Sequence, residues 1–416
     1  MNSMVKTENK KYQWIDWCAF VLGLVAYTLL MFTLFNQQTL GNENYYHSDM
    51  KAYILEMQGL ESGYSFPYPL FFKLGALFHL FLNNPELSIA LAVTVLNGLS
   101  PLVLKYYMNK ILVQECGGGN GSLTGKKQLI LGLFITLGVF SIFFVSMVYP
   151  PKGIYLPGIK TNYVGVFSPN PFHNATYNAT RPFAIVTYFL FGKILTEYEE
   201  NANWKDQLLF ALFLFLTTIT KPSFTFVLVP AAGLIMLYRI FKSKFRNFVP
   251  SVKLGLCFLP TFAALLYQFF GVFAPTEDGE QGIGFGIATA WKLVCDNIPL
   301  AIGLALGFPI FILMVNFKQL KQDKWYRFSW QLLLISLAEI LFMYEKGFRL
   351  AHMNFSWGYM HGIFFVFVSS LIVLIRRTWK KEGHLWLTIA QWLAYGWHLV
   401  CGIYYFMGIF AGNLYY

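Results

Sequence analysis

The residues equipped for acid–base or anion chemistry are few and lie far apart in the chain. Asp49 ends the run GNENYYHSD, which also supplies His47. Lys221 stands between two apolar stretches in Thr220-Lys221-Pro222. His173, Asn174 and Arg181 share FHNATYNATRPF, while Glu345, Arg349, His352 and Trp357 share EKGFRLAHMNFSWGYMHG. A carboxylate held beside aromatic rings can be desolvated enough to take a hydroxyl proton as a general base. Lysine and arginine can neutralise charge developing on a phosphate, arginine in bidentate fashion. Asn, His and aromatic side chains suit a polyhydroxylated ligand, with polar atoms in its plane and rings on its apolar face. Each residue also has a plainer reading. Ser48 and Asp49 are good N-cap residues for the segment that follows. Lys221 can anchor to lipid headgroups. Arg349 can neutralise Glu345 or Glu339, and the loop aromatics can form an interfacial belt.

The elements that must position these groups belong to a membrane. Of 416 residues, 56% are hydrophobic and only 12% charged, too few charges to cover a soluble domain of this size. Mean hydropathy is +0.50. The apolar residues fall into long blocks, among them 17–35, 129–148, 208–218 with 224–238, and 385–410. Runs of about 20 such residues cross the hydrocarbon as helices, and these blocks lack the alternation of barrel strands. The fold expected is therefore all-α and polytopic. The apolar pattern predicts about eleven transmembrane helices, at 14–36, 86–108, 128–148, 182–197, 207–220, 222–241, 248–272, 296–316, 328–344, 360–376 and 385–411. A half-buried helix is expected near 68–82, too short for a crossing. Met50, Tyr53, Ile54 and Met57 have helical spacing, so 50–60 reads as an interfacial helix.

The net charge of +11 suggests nucleic acid until its distribution is considered. With the N-terminus inside, most of the 31 basic residues fall in or beside inner connections, Lys105, Lys110, Lys126 and Lys127 among them. That bias is the positive-inside signature, so the basic excess reports topology and excludes nucleic acid as a partner. The polar start MNSMVKTENKK runs into the first span without a small-residue cleavage site, as expected of an uncleaved cytoplasmic N-terminus. Five scattered cysteines suggest neither a disulfide framework nor a metal site. A single transmembrane domain over 1–416 is expected, with elaborate outer loops at 37–67, 149–181 and 345–359. The glycines and polar residues of 117–125 read as a flexible inner linker. Polar groups and aromatics concentrate on the outer, extracytoplasmic side, where function is expected. The acids Glu277, Asp278 and Glu280 make a divalent cation a candidate ligand, against the plainer reading of a solvated loop; no cofactor is otherwise implied.

Two stretches carry a resemblance. The first is the acidic residue early in the first outer loop, followed by an interfacial helix and the membrane entry Phe66-Pro67-Tyr68-Pro69-Leu70. The second is LLFALFLFLTTITKPSFTFVLVPAAGLIMLYRI, a short span ending in Thr220-Lys221-Pro222 with the next span starting at once. Together they resemble the type-C (GT-C) integral membrane glycosyltransferases that use polyprenyl-phosphate sugars, such as the protein mannosyltransferases and lipid A aminoarabinose transferases. The resemblance covers 1–241; the helices of 242–416 match only in being polytopic. It departs from the family in that no second acid stands directly beside Asp49. It implies an inverting transfer from a polyprenyl-phosphate sugar to an acceptor hydroxyl on a glycan, lipid or protein. Asp49 would be the base, and Lys221, Arg181 and Arg349 the lipid-phosphate contacts. His47, His173, Asn174, Glu345, His352 and Trp357 would line the substrate site. A multi-pass protein of a bacterial plasma membrane is expected. Two other classes stay open: a polysaccharide polymerase or ligase, and a transporter or flippase of lipid-linked substrates. A transporter would place its ionisable groups near the midplane and show repeat symmetry, and no repeat is evident here.

Overall fold

In a computed structural model, which describes residues 2–117, 125–149, 164–200, 203–272 and 282–413, the apolar blocks become helices, several of them capped by an Asn or Asp side chain. Asn84 opens α4 (Pro85–Cys116) by accepting from Leu87 N at 2.8 Å, with Pro85 in the first turn, where no amide is needed. Asp323 opens α14 (Lys324–Phe342) by accepting from Trp325 N and Tyr326 N at 2.9 and 3.0 Å. The N-terminal part holds α1 (Asn2–Thr39), α2 (Met50–Met57), α3 (Pro69–Leu82), α4, α5 (Lys126–Ile142) and α6 (Val164–Phe167). The middle holds α7 (Ala175–Glu197), α8 (Trp204–Thr220), α9 (Ser223–Lys242), α10 (Phe248–Leu256), α11 (Leu259–Val272) and α12 (Ile298–Val315). After α13 (Gln319–Gln322) and α14 come α15 (Asn354–Lys380) and α16 (Leu385–Phe410).

The protein is an all-α membrane protein. Six described helices are long and apolar enough to cross a membrane: α1, α4, α9, α12, α15 and α16. A seventh follows if α10 and α11, bent by 51° at their junction, form one span. The remaining expected spans coincide with helices that fall short on length or on apolar character. α5 and α8 have 17 residues each, α7 carries Arg181 and Lys193, and α14 carries Lys324, Arg327 and Glu339. α3 is short, as its sequence predicts, and α2 buries the four residues expected of it: Met50, Tyr53, Ile54 and Met57.

α15 is the axis of the bundle. Its stretch from Gly358 to Arg376 is buried on every side, which is why it is apolar all round. Gly358 and Gly362 let neighbours close in: a Cβ on Gly358 would meet Val227 Cγ2 of α9 at 2.7 Å, and one on Gly362 would meet Leu333 Cα of α14 at 3.1 Å. A two-stranded antiparallel ribbon, β1 (Ile283–Phe285) with β2 (Met343–Glu345), joins the segment after α11 to the end of α14. No sequence signal marked it. Its register pairs Ile283 with Glu345.

Charges gather at one end of the bundle. Arg376 Nη1 reaches Glu115 at 2.7 Å and Asp323 at 3.1 Å, and Lys193 reaches Asp206 at 2.6 Å. Lys105 departs from the charge-bias reading, because α4 runs on to Cys116 and encloses it. The ammonium is wholly buried, 3.0 Å from Asp16, and donates also to Gly132 O at 2.7 Å and Thr136 Oγ1 at 2.8 Å. A buried pair of this kind gains little against a well-packed apolar substitute, but breaking it strands a charge. Lys105→Met alone should cost about 3–5 kcal/mol of stability, and adding Asp16→Leu should recover most of it. Thermal unfolding in detergent checks this; equal stability of the single and double variants would contradict it.

Candidate functional site

α7 begins at Asn174, whose Oδ1 accepts from Tyr177 N at 2.9 Å as its N-cap. The same oxygen accepts from Lys221 Nζ at 3.1 Å and Thr176 Oγ1 at 3.0 Å. On the other side of the amide, Nδ2 donates to Asp49 Oδ2 at 2.9 Å and to Tyr53 OH at 3.3 Å. The amide orientation follows from this network, since only its oxygen can face the ammonium and the helix amides.

Asp49 occupies the N-cap position of α2, yet its side chain makes no capping bond. Its carboxylate turns instead to Tyr53, one turn along α2, which donates to Oδ2 at 3.1 Å. Tyr53 is fixed by the rings of Phe66, Phe71 and Phe72, with centroids 5.2, 5.8 and 5.8 Å away. Burial holds its hydroxyl well above the ordinary phenol value, and Asp49's charge adds to this. Asp49 itself is exposed. Both donors converge on Oδ2, which leaves Oδ1 as the oxygen available to a ligand's hydroxyl.

Lys221 follows the last residue of α8 in an extended backbone conformation, and only 7% of it is exposed. Its ammonium donates to Asn174 and, at 3.0 Å, to Thr176 Oγ1, and lies 4.4 Å from the ring centre of Trp357. Among the described residues no carboxylate pairs with it within 4.0 Å. Burial pulls the ammonium from its ordinary 10.5 down to about 8, while Asp49's charge resists. A buried cation with neutral partners, beside the N-terminus of α7, is a built place for an anion. His173 lies behind Trp357, with ring centres 5.7 Å apart, and burial lowers it to about 4, so it is a neutral imidazole. His47 is exposed and close enough for its charge to bear on His173.

The structure thus brings Asp49, Asn174, Lys221, His173 and Trp357 together. Trp357 offers the ammonium one ring face. Arg349, Glu345 and His352 form the adjoining wall. Arg349 Nε lies 3.3 Å from Glu345 Oε1, Asn354 donates to Glu345 Oε2, and His352 packs 5.5 Å from the ring of Tyr64. Tyr68 joins wall and centre, because the charges of Asp49 and Arg349 both reach its hydroxyl. Arg349 therefore pairs with Glu345. Glu339 Oε2 is buried without a partner among the described residues.

Arg181 does not join the cluster. It is 1% exposed, donates to Asn170 Oδ1 at 2.8 Å and Asn178 Oδ1 at 2.5 Å, and sits 5.2–5.3 Å from the rings of Phe143, Tyr177 and Phe364. This aromatic and amide cage holds the guanidinium inside the core through Nη1 and Nη2, while Nε is buried without a partner among the described residues. The acids Glu277, Asp278 and Glu280 lie outside the described residues. Among the described residues no three His, Cys, Asp or Glu side chains converge as a metal site. Sequence reasoning missed Tyr53 and Thr176. The signal for Tyr53 was its place one turn after Asp49 on a helix; Thr176 carried none.

Comparison of the chain with protein-family models and with curated proteins finds no match to either.

The lowered Lys221 gives a stability prediction with a definite sign. Between about 8 and 10.5 the unfolded chain holds this proton and the folded protein does not, so folding gains stability as pH rises through that window. Lys221→Met should raise the unfolding temperature at neutral pH, and the gap should close towards pH 10.5. Melting curves across this range check it; a gap independent of pH would contradict it.

Proposed function

We propose that this protein is a glycosyltransferase that moves a sugar from a polyprenyl-phosphate donor to an acceptor hydroxyl at the extracytoplasmic membrane face. The observation that carries the reading is the pair Asp49 and Lys221, an exposed carboxylate and a buried ammonium held apart by one neutral amide. That spacing suits a reaction in which a proton leaves one atom while negative charge grows on another. The acceptor hydroxyl gives its proton to Asp49 Oδ1 as its oxygen attacks the anomeric carbon, and the bond to phosphate breaks with inversion. The phosphate leaves towards Lys221 and the N-terminus of α7, with Arg349 nearby. Trp357, His173 and Asn174 border the sugar, joined by His47, His352 and Glu345. The acceptor is a glycan, lipid or protein hydroxyl, and a divalent cation remains a candidate ligand.

The reading counts α1, α4, α5, α7, α8, α9, the α10–α11 pair, α12, α14, α15 and α16 as eleven crossings. The N-terminus then lies inside a bacterial plasma membrane and the Asp49 cluster outside. Residues 1–241 form the GT-C-like module, to which 242–416 contribute the Arg349 wall and Trp357. A flippase would draw on the charges at depth, yet the Asp16–Lys105 pair is internal and two nitrogens of Arg181 are already bound by Asn170 and Asn178.

Membranes containing the protein, given a panel of radiolabelled polyprenyl-phosphate sugars, test the reading. Asp49→Asn should lower transfer by about 10²–10⁴-fold, the usual contribution of a general base. Label transfer unaffected by that change would sink the assignment. Lys221→Ala should raise the donor requirement more than it slows saturated turnover. For the wild type, kcat/KM for the donor should fall as pH rises through about 8, because the free protein loses the Lys221 proton there. A profile flat across that range would remove Lys221 from donor binding.

A further inference from the structure

The buried Lys221 is joined to solvent by an unbroken line of hydrogen-bonding groups. Its Nζ lies 3.0 Å from Thr176 Oγ1, and Thr176 Oγ1 lies 3.2 Å from Tyr53 OH. Tyr53 OH lies 3.1 Å from Asp49 Oδ2, and Asp49 is exposed. Both intermediate groups are hydroxyls, each able to give one proton and accept another. The Thr176 proton has two acceptors at similar reach, Asn174 Oδ1 at 3.0 Å and Tyr53 OH at 3.2 Å, so a turn of one bond switches it between them. Beside the ammonium lies the Trp357 ring, and the buried His173 and His361 of α15 are near enough to feel its charge. The charged and titratable groups facing Lys221 are thus Asp49 and Tyr53 of α2, Tyr68 before α3 by way of Thr176, His173 before α7, and His361 of α15. Burial keeps Tyr53 protonated well beyond neutral pH, as a relay hydroxyl requires.

We propose that Tyr53 and Thr176 form a proton wire between Asp49 and Lys221, which couples removal of the acceptor proton to neutralisation of the departing phosphate. The inference rests on the transferase reading and adds two residues to it. The acceptor O–H proton passes to Asp49, and the acceptor oxygen forms its bond to the anomeric carbon. The bond from that carbon to the phosphate oxygen breaks, and its electron pair stays on the phosphate. Lys221 gives one ammonium proton to that oxygen. The proton on Asp49, after a half-turn of the carboxyl, moves to Tyr53, the Tyr53 proton to Thr176, and the Thr176 proton to the Lys221 amine. Donor and acceptor become glycosylated acceptor and protonated lipid phosphate, and the protein returns to its starting state. Tyr53 and Thr176 act through Asp49 and Lys221, so they are positioning and relay residues.

Trp357 supplies a readout independent of turnover, because the Lys221 charge lies 4.4 Å from its ring. The detergent-solubilised full chain is mixed in a stopped-flow instrument from below to above the Lys221 transition near pH 8, with a Trp357→Phe variant as the blank. The wild-type fluorescence change should follow the pH jump within mixing. Tyr53→Phe, which keeps the ring contacts, and Thr176→Val should each slow it by on the order of tenfold or more, and Thr176→Ser should restore it. In the transfer assay with polyprenyl-phosphate sugars, the two slow variants should lose about tenfold in kcat, less than Asp49→Asn. Variants that follow the jump as the wild type does, or a Trp357 signal that ignores pH, would overturn the wire and leave the transferase reading standing. Transfer unchanged by Asp49→Asn would overturn that reading whatever the wire does.

Discussion

A single side-chain amide decides how the two charged groups of this site coexist. Asp49 and Lys221 lie close enough to influence one another, and without an intervening group they would collapse into an ion pair in which each cancelled the other. Asn174 prevents this by facing each charge with the matching end of its dipole: its oxygen to the ammonium, its nitrogen to the carboxylate. The same oxygen starts α7, so the amide cannot swing away without uncapping a helix. The carboxylate keeps an open oxygen at the surface, and the ammonium keeps its charge in a buried place where an anion gains most from it.

The bundle exists in the form that keeps this amide still. α7 is buried along nearly its whole length, held by α4 and α8, and its Arg181 is caged by rings from the end of α5 (Phe143), α7 and α15. Lys221 is placed by the abrupt stop of α8 and Trp357 by the first turn of α15, whose two glycines draw α9 and α14 tight against it. Asp49 alone stands on a short surface helix, and Tyr53 and its aromatic neighbours lock that helix to the frame. A rigid cation and a carboxylate on a surface element suit the proposed transfer, in which a large acceptor is admitted while a lipid phosphate is held.

Much of this is legible in the amino-acid sequence. The helical spacing of Met50, Tyr53, Ile54 and Met57 gave α2 and its buried face, and the isolation of Lys221 between apolar runs marked it as a charge needing a partner. Three features were hidden for one reason, that their partners come from distant segments. The ribbon of Ile283–Phe285 with Met343–Glu345 is three residues long and has no local signature. Arg181 reads as a surface cation until Phe143 and Phe364 close around it. Lys105 reads as an inner-face charge until the full length of α4 and the carboxylate of Asp16 enclose it. Asp49 misled in the opposite direction. Its position is that of a cap, but Tyr53 and Asn174 compete for the carboxylate and win.

The central claim is that Lys221 receives the phosphate of a polyprenyl carrier, with the open oxygen of Asp49 left for the acceptor. A structure of the protein in nanodiscs with bound undecaprenyl phosphate tests it most directly. The account predicts phosphate oxygens within hydrogen-bond distance, roughly 2.7–3.2 Å, of Lys221 Nζ, with the lipid chain running from the site into the bilayer. A phosphate bound elsewhere, with Lys221 still held only by Asn174 and Thr176, would contradict it.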